Sequence, residues 1–237
     1  MKNGNSLHAI LFDLDGTLRH NHPNGFDTFV GYLAELGHPL SQSQQHHAER
    51  WTHYYWAESP EQTIDRKEFS GETGDFWVRY TTRLLQAFGI DGDLPALGQQ
   101  VNKRFDEDYK PVHHVPDDVI PTLTQLRADG YTLGLVSNRP EPLDGLAADL
   151  GLSGFFHFTL SAGQAQSWKP APGIFLQAAT LAGCAPEQAA YVGDNFYADI
   201  VGARRAGLTP VLIDPKGLFP DADCRVIREI GELKKLR

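Results

Sequence analysis

The order of apolar runs and helical patterns in this chain of 237 residues predicts an α/β fold: a doubly wound parallel sheet with an inserted α-helical module. Two observations carry that expectation. Short apolar runs alternate with helical patterns from Thr122 to Asp214, and one more such run stands by itself near the N-terminus. The stretch between them, 20–112, shows helical spacing and no convincing strand.

The elements follow in chain order. Leu7 to Phe12 is an apolar run of strand length that stops abruptly at Asp13. In the inserted stretch, Phe26, Phe29, Val30, Leu33 and Leu36 keep helical spacing and end at Gly37. Ala48, Trp51, Tyr54 and Tyr55 form a second stripe behind Ser41, a good N-cap residue. A third runs through Phe76, Trp77, Tyr80, Leu84, Leu85 and Phe88, and a fourth through Leu94, Leu97, Val101 and Phe105. The module is expected to hold about four helices. Its edges, His20–Gly25 and Lys110–Pro116, are polar and proline-bearing and read as hinges.

Beyond the second hinge, Tyr131–Val136, Phe155–Leu160, Ala189–Val192 and Pro210–Ile213 read as buried strands. Helices are expected over 121–129, 142–150, 171–182 and 198–206. Pro121 suits a first helical turn, while Gly130, Gly151, Gly183 and Gly207 suit helix ends. Such alternation implies a parallel sheet covered on both faces. The boundaries are 1–19 with 113–237 for the α/β unit and 20–112 for the helical one.

Composition narrows the function. A net charge of −9 offers no basic footprint for nucleic acid or anionic membranes. The two cysteines, Cys184 and Cys224, make no disulfide framework, and no secretory or spanning segment is visible. A cytoplasmic protein is the expectation. Oligomeric state is not legible.

The strongest chemical signal is Asp13-Leu14-Asp15-Gly16-Thr17-Leu18, directly after the first strand. In extended backbone, side chains at i and i+2 fall on one side. Two carboxylates there are costly to desolvate without a task. Gly16 permits a sharp turn that exposes backbone N–H groups. The combination points to a divalent cation and a phosphate, with one carboxylate as nucleophile and the other as proton carrier. Ser137-Asn138, Lys169-Pro170, Asp194 and Asp199 stand at or beyond the ends of later strands, where open α/β sheets bind ligands.

On these residues the sequence resembles the haloacid dehalogenase superfamily, in its phosphatase-like subgroup. Phe12 to Leu18 is similar to the first family motif, Ser137-Asn138 to the second, Lys169-Pro170 to the third and Gly193 to Asp199 to the fourth. The helical insert is similar to the family's cap. The resemblance implies a Rossmann-like core and a phosphatase acting on a small phosphorylated metabolite. It makes Asp13 the nucleophile that forms an aspartyl-phosphate, and Asp15 the general acid and base. It assigns Mg²⁺ to Asp13, Asp15 (through its backbone carbonyl), Asp194 and Asp199. Ser137, Asn138, Gly16, Thr17 and Lys169 are implied as the phosphate-binding set, with Lys169 also catalytic.

Charge supports a metal independently. Four carboxylates against Lys169 alone would repel a phosphate dianion, and a divalent cation plus a proton on Asp15 would restore neutrality. An oxygen-only donor set suits Mg²⁺. The presence of Asp15 argues against the dehalogenases and phosphonate hydrolases of the same fold. A sugar phosphomutase is the alternative enzyme, and a catalytically idle binding module the alternative outside enzymology.

Blander readings stand beside these. Ser137-Asn138 and Asp199 could each cap a helix, and Asn195 could be a turn former. His46-His47 and His113-His114 read as surface or hinge residues, since adjacent histidines diverge. Arg19, His20 and His22 follow the acidic loop and could line an entrance. Of Trp51, Tyr54, Tyr55, Trp56 and Trp77, one or two are expected outside the core as substrate walls. Arg50, Arg79 and the turn Gly71–Gly74 are candidates for specificity.

Overall fold

The computed structural model of the protein describes residues 7–235. They form two compact units, one of residues 7–20 and 113–235, the other of 21–112.

The first unit is built on β1 (Ala9–Phe12), β4 (Thr132–Ser137), β5 (Phe158–Ser161), β6 (Ala189–Gly193), β7 (Thr209–Ile213) and β8 (Arg225–Ile227). These make a six-stranded sheet in the order β5-β4-β1-β6-β7-β8. Every pairing is parallel, with Phe12 opposite Leu135 on one side and Val192 on the other. Strands so paired lie between two apolar layers, which is why they read as continuous apolar runs. Ile10, Phe12, Leu133, Leu135, Val192 and Val211 face one layer, completed by α6 (Val119–Ala128) and α7 (Asp144–Asp149). Ala9, Leu11, Val136, Ala189 and Tyr191 face the other, with α8 (Ala162–Ala165), α9 (Pro172–Leu181) and α10 (Val201–Arg205).

From β1 the chain order runs outward in both directions, through β4 and β5 on one side and β6, β7 and β8 on the other. The carboxyl ends of β1, β4 and β6 therefore meet at the switch point of the sheet.

The expected strands are present with two differences. The fifth starts at Phe158 because Phe155 and Phe156 pack on the α6 layer instead of extending the ladder. The edge strand β8 was not expected, since only Ile227 of its three residues is buried.

The second unit holds α1 (Gly25–Glu35), α2 (Gln42–Tyr55), α3 (Pro60–Glu68), α4 (Gly74–Ala87) and α5 (Leu94–Asp108). Phe29, Leu33, Ala48, Leu84, Leu85, Phe88 and Val101 make its core. The helix beyond the expected four is α3, whose buried residues, Gln62 and Asp65, are polar. It has no apolar stripe to read. Asp65 is fully buried and takes two hydrogen bonds from Arg83 (2.8 and 2.9 Å) and one from the Tyr55 hydroxyl (3.0 Å). Arg79, expected as a specificity residue, is paired within the unit to Glu68 and Asp65. The segments expected as hinges contain two short strands, β2 (His20–His22) and β3 (Val112–His114), which pair with each other; the apolar-run criterion shows no strand there because these residues are mostly exposed.

Candidate active site

Asp13 leaves the end of β1 with its backbone N–H donated to the Val192 carbonyl at 2.9 Å, so the sheet ladder itself aims the residue. Its carboxylate is buried and accepts from the Lys169 ammonium at 2.7 Å. The same ammonium donates to Asp199 at 2.6 Å and to the Tyr191 hydroxyl at 3.0 Å. Tyr191 in turn donates to the Val136 carbonyl at 2.9 Å. Side chains from the end of β1, from β6 and from the segment after β6 thereby converge on one buried ammonium, which the turn before α9 supplies.

Asn138 locks Lys169 from the backbone side. Its Oδ1 accepts from the Lys169 N–H at 2.7 Å, and its Nδ2 donates to the Lys169 carbonyl at 2.9 Å. Both ends of the amide are used, so the side chain expected to bind phosphate instead holds the lysine segment. Ser137, its neighbour, is buried at the carboxyl end of β4.

Asp194 and Asp199 arrive from the loop after β6. Asp199 lies in a turn of π-helix, Phe196–Ile200, and accepts from the Asn195 N–H at 2.9 Å. Asn195 caps that turn by accepting from the N–H groups of Tyr197 and Ala198, as expected of a turn former. Thr17 donates from its hydroxyl to Asp194 at 3.3 Å. Two glycines are required by close approach. A Cβ on Gly16 would overlap the Asp194 carboxylate, and one on Gly193 would overlap that of Asp199. Gly16 also sits at φ +86°, where a side chain is strained.

One oxygen from each of Asp13, Asp194 and Asp199 lies within 4.8 Å of the others. Burial, with the neighbouring carboxylates adding to it and Lys169 opposing, pushes the Asp13 carboxyl up to about 7. Burial, reinforced by Asp13 and Asp199, raises Asp194 well above the carboxylate range. Burial pulls the Lys169 ammonium down, but Asp13 and Asp199 outweigh it and hold its pKa well above the usual value.

Asp15 does not join this cluster. Its Oδ1 accepts from Arg19 Nη1 at 2.7 Å and from Arg139 Nη2 at 2.9 Å, and its Oδ2 accepts from Arg139 Nε at 2.7 Å. The carboxylate is therefore not placed as a metal ligand. The two guanidinium groups on Asp15 also make its surroundings less negative than four carboxylates against Lys169 alone. Arg19 is anchored by His113, whose Nδ1 accepts from its Nε at 3.1 Å. The Gly16 and Thr17 backbone N–H groups, expected to face a phosphate, are taken by the Arg19 and Leu14 carbonyls. Those of Leu14 and Asp15 have no acceptor among the described residues.

Sequence reasoning missed Arg139 and Tyr191. Arg139 directly follows Ser137-Asn138, and Tyr191 is the one polar-tipped side chain of the β6 run, so both signals were there to read.

The helical unit has a cavity of its own, about 930 Å³, lined in part by Phe26, Trp56, Trp77, Tyr80 and Lys103. Trp77 is 40% exposed, while Tyr55 is fully buried. The aromatic set thus divides between core and cavity wall.

A family model of haloacid dehalogenase-like hydrolases matches residues 7–207. The chain belongs to that family. It is 36% identical to a glyceraldehyde 3-phosphate phosphatase of Methanopyrus kandleri over 92% of this chain and 88% of the relative. It is 35% identical to a phosphoserine phosphatase of Thermus thermophilus over 68% of this chain and 71% of the relative. Among solved structures, a 2-haloacid dehalogenase from Pseudomonas syringae pv. Tomato is similar, with a TM-score of 0.55 and 26% identity over 97% of each chain. The chain is thus a hydrolase of the haloacid dehalogenase-like family. Among the described residues no helix is long and apolar enough to cross a membrane.

Proposed function

We propose that this protein is a Mg²⁺-dependent phosphatase that hydrolyses a small phosphorylated metabolite through an aspartyl-phosphate on Asp13. The observation that carries the reading is the Asp13 carboxylate itself. It is buried, fixed by Lys169, grouped with Asp194 and Asp199, and followed two residues later by a carboxylate left outside the group.

The inner group fits a hard divalent cation. Three carboxylates share one ammonium, so a charge of +2 balances the remainder, and all donors are oxygen. Asp13, Asp194 and Asp199 would hold the ion, with the backbone carbonyl of Asp15 as the fourth protein donor. When bound, it supplies charge neutralisation for the incoming phosphate.

The chain's own residues then divide the work. One Asp13 oxygen forms a bond to phosphorus as the P–O ester bond breaks. The leaving oxygen takes its proton from Asp15, which swings out of its arginine contacts. In the second half, Asp15 takes a proton from a water whose oxygen attacks phosphorus, releasing phosphate and restoring Asp13. Lys169 keeps Asp13 aligned and its charge compensated. Ser137 and the N–H groups of Leu14 and Asp15 form the phosphate cradle. The inserted helical unit serves as a cap that favours small substrates.

The relatives named as phosphatases support this reading, as does Asp15, which provides the proton that ester cleavage needs. Phosphate release from a panel of small phosphomonoesters, with Mg²⁺ and with chelator, is the test. Release that depends on Mg²⁺ and is lost in Asp13→Asn is expected. Activity that survives Asp13→Asn overturns the nucleophile, and isomer formation from a hexose 1-phosphate points to the mutase instead.

A further inference from the structure

Asp15 is held by two arginines that are not equivalent. Arg19 is nearly buried, its side chain 10% exposed, and its other face is tied to His113. It is a fixed tether. Arg139 is 38% exposed and gives Asp15 both donors of its fork, Nε and Nη2, one to each carboxylate oxygen. That paired geometry is the one a guanidinium uses to recognise a planar carboxylate.

The proton carrier cannot serve an ester oxygen while both of its oxygens are given to Arg139. Once Asp15 turns away, the Arg139 fork keeps two parallel donors beside the reacting centre and loses both acceptors. A leaving group with its own carboxylate near the ester oxygen would fill that fork as Asp15 vacates it. A neutral leaving group would leave the fork empty, and Asp15 would be drawn back. The Asp15 carboxylate is thus the template for what the site reads.

Resting on the phosphatase reading above, we propose that Arg139 is a specificity residue that binds a carboxylate on the leaving-group side. The substrate class is then the phosphate monoesters of small hydroxy acids. The exposed position of Arg139 fits this role, and the buried, histidine-backed position of Arg19 does not.

The test compares two isosteric substrates that differ in that charge, the phosphate monoesters of glycolic acid and of glycolamide, with Mg²⁺ present. The wild-type protein is expected to favour the acid by about tenfold or more in kcat/KM, the discrimination expected of a charge-assisted pair. In Arg139→Gln the ratio is expected to fall to about one, and Arg139→Lys, which keeps the charge without the fork, to recover only part of it. A ratio between isosteric substrates is not moved by a general loss of folding or of Asp15 alignment. Equal hydrolysis of both esters by the wild type overturns the proposal and leaves the phosphatase reading intact. So does a preference that persists in Arg139→Gln. Hydrolysis of neither ester, nor of any in the wider panel, overturns both.

Discussion

Asn138 and Lys169 are joined backbone to side chain by a matched pair of hydrogen bonds, 2.7 Å into Oδ1 and 2.9 Å out of Nδ2. The pair fixes the segment whose ammonium sits between Asp13 and Asp199. Asn138→Ala removes both bonds and touches no reacting atom. Its expected signature is a fall in kcat of about 10²-fold, the usual scale for a misplacement of order 1 Å, with KM nearly unchanged. Steady-state kinetics check it; a variant with wild-type kcat contradicts the positioning role.

The raised Asp13 and Asp194 carboxyls make the metal-free protein pH-sensitive. Asp13 moves from an ordinary 3.8 to about 7 in the fold, so between those values the folded chain binds the extra proton. Its contribution to stability is full below 3.8 and is lost as pH rises through about 7. Asp194 acts in the same direction. Without metal, the melting temperature is expected to fall from pH 5 to pH 8. Mg²⁺ needs the deprotonated carboxylates, so the stabilisation it confers grows over the same interval. Melting curves with and without Mg²⁺ across that range measure both trends, and a Mg²⁺ effect that shrinks with rising pH is the contrary result.

Gly193 has no room for a methyl group against the Asp199 carboxylate. Gly193→Ala therefore forces Asp199 or the loop to move, and with it the contact to Lys169. A folded protein with activity reduced by about 10²-fold is expected from phosphate-release assays alongside circular dichroism. Unchanged turnover would show that the position of Asp199 does not matter.

In the helical unit, Asp65 is the buried anion that docks α3 through Arg83 and Tyr55. Asp65→Ala strands Arg83 and the Tyr55 hydroxyl and removes one of the two carboxylates paired with Arg79. Because Arg83 is partly exposed, the loss is expected at the low end of the range for broken buried pairs, about 3 kcal/mol in urea unfolding. A loss under about 0.5 kcal/mol would mean that apolar packing alone holds α3.

This helix also shows where the sequence stops being legible. Periodicity reveals helices that dock by apolar stripes, as α1, α2, α4 and α5 do, and the sheet strands that lie between two apolar layers. It is silent about α3, which docks by a carboxylate, and about β8, an exposed edge. At the site, spacing brought out Asp13, Lys169, Asp194 and Asp199 because each ends a strand or opens a helix. It could not show which way Asp15 turns. That depends on Arg139, which is 124 residues away along the chain, and on the His113 support of Arg19. Counting only Lys169 as a cation overstated the negative charge around Asp15, while the deficit among Asp13, Asp194 and Asp199 remains.

The central claim is that Asp13 attacks phosphorus. Acid-quenching the protein during turnover of a phosphomonoester with Mg²⁺, followed by peptide mass spectrometry, tests it most directly. The account predicts one phosphoryl group on the peptide containing Asp13, absent in Asp13→Asn and at zero time. Steady hydrolysis with no label on that peptide, or with the label on another residue, would contradict it.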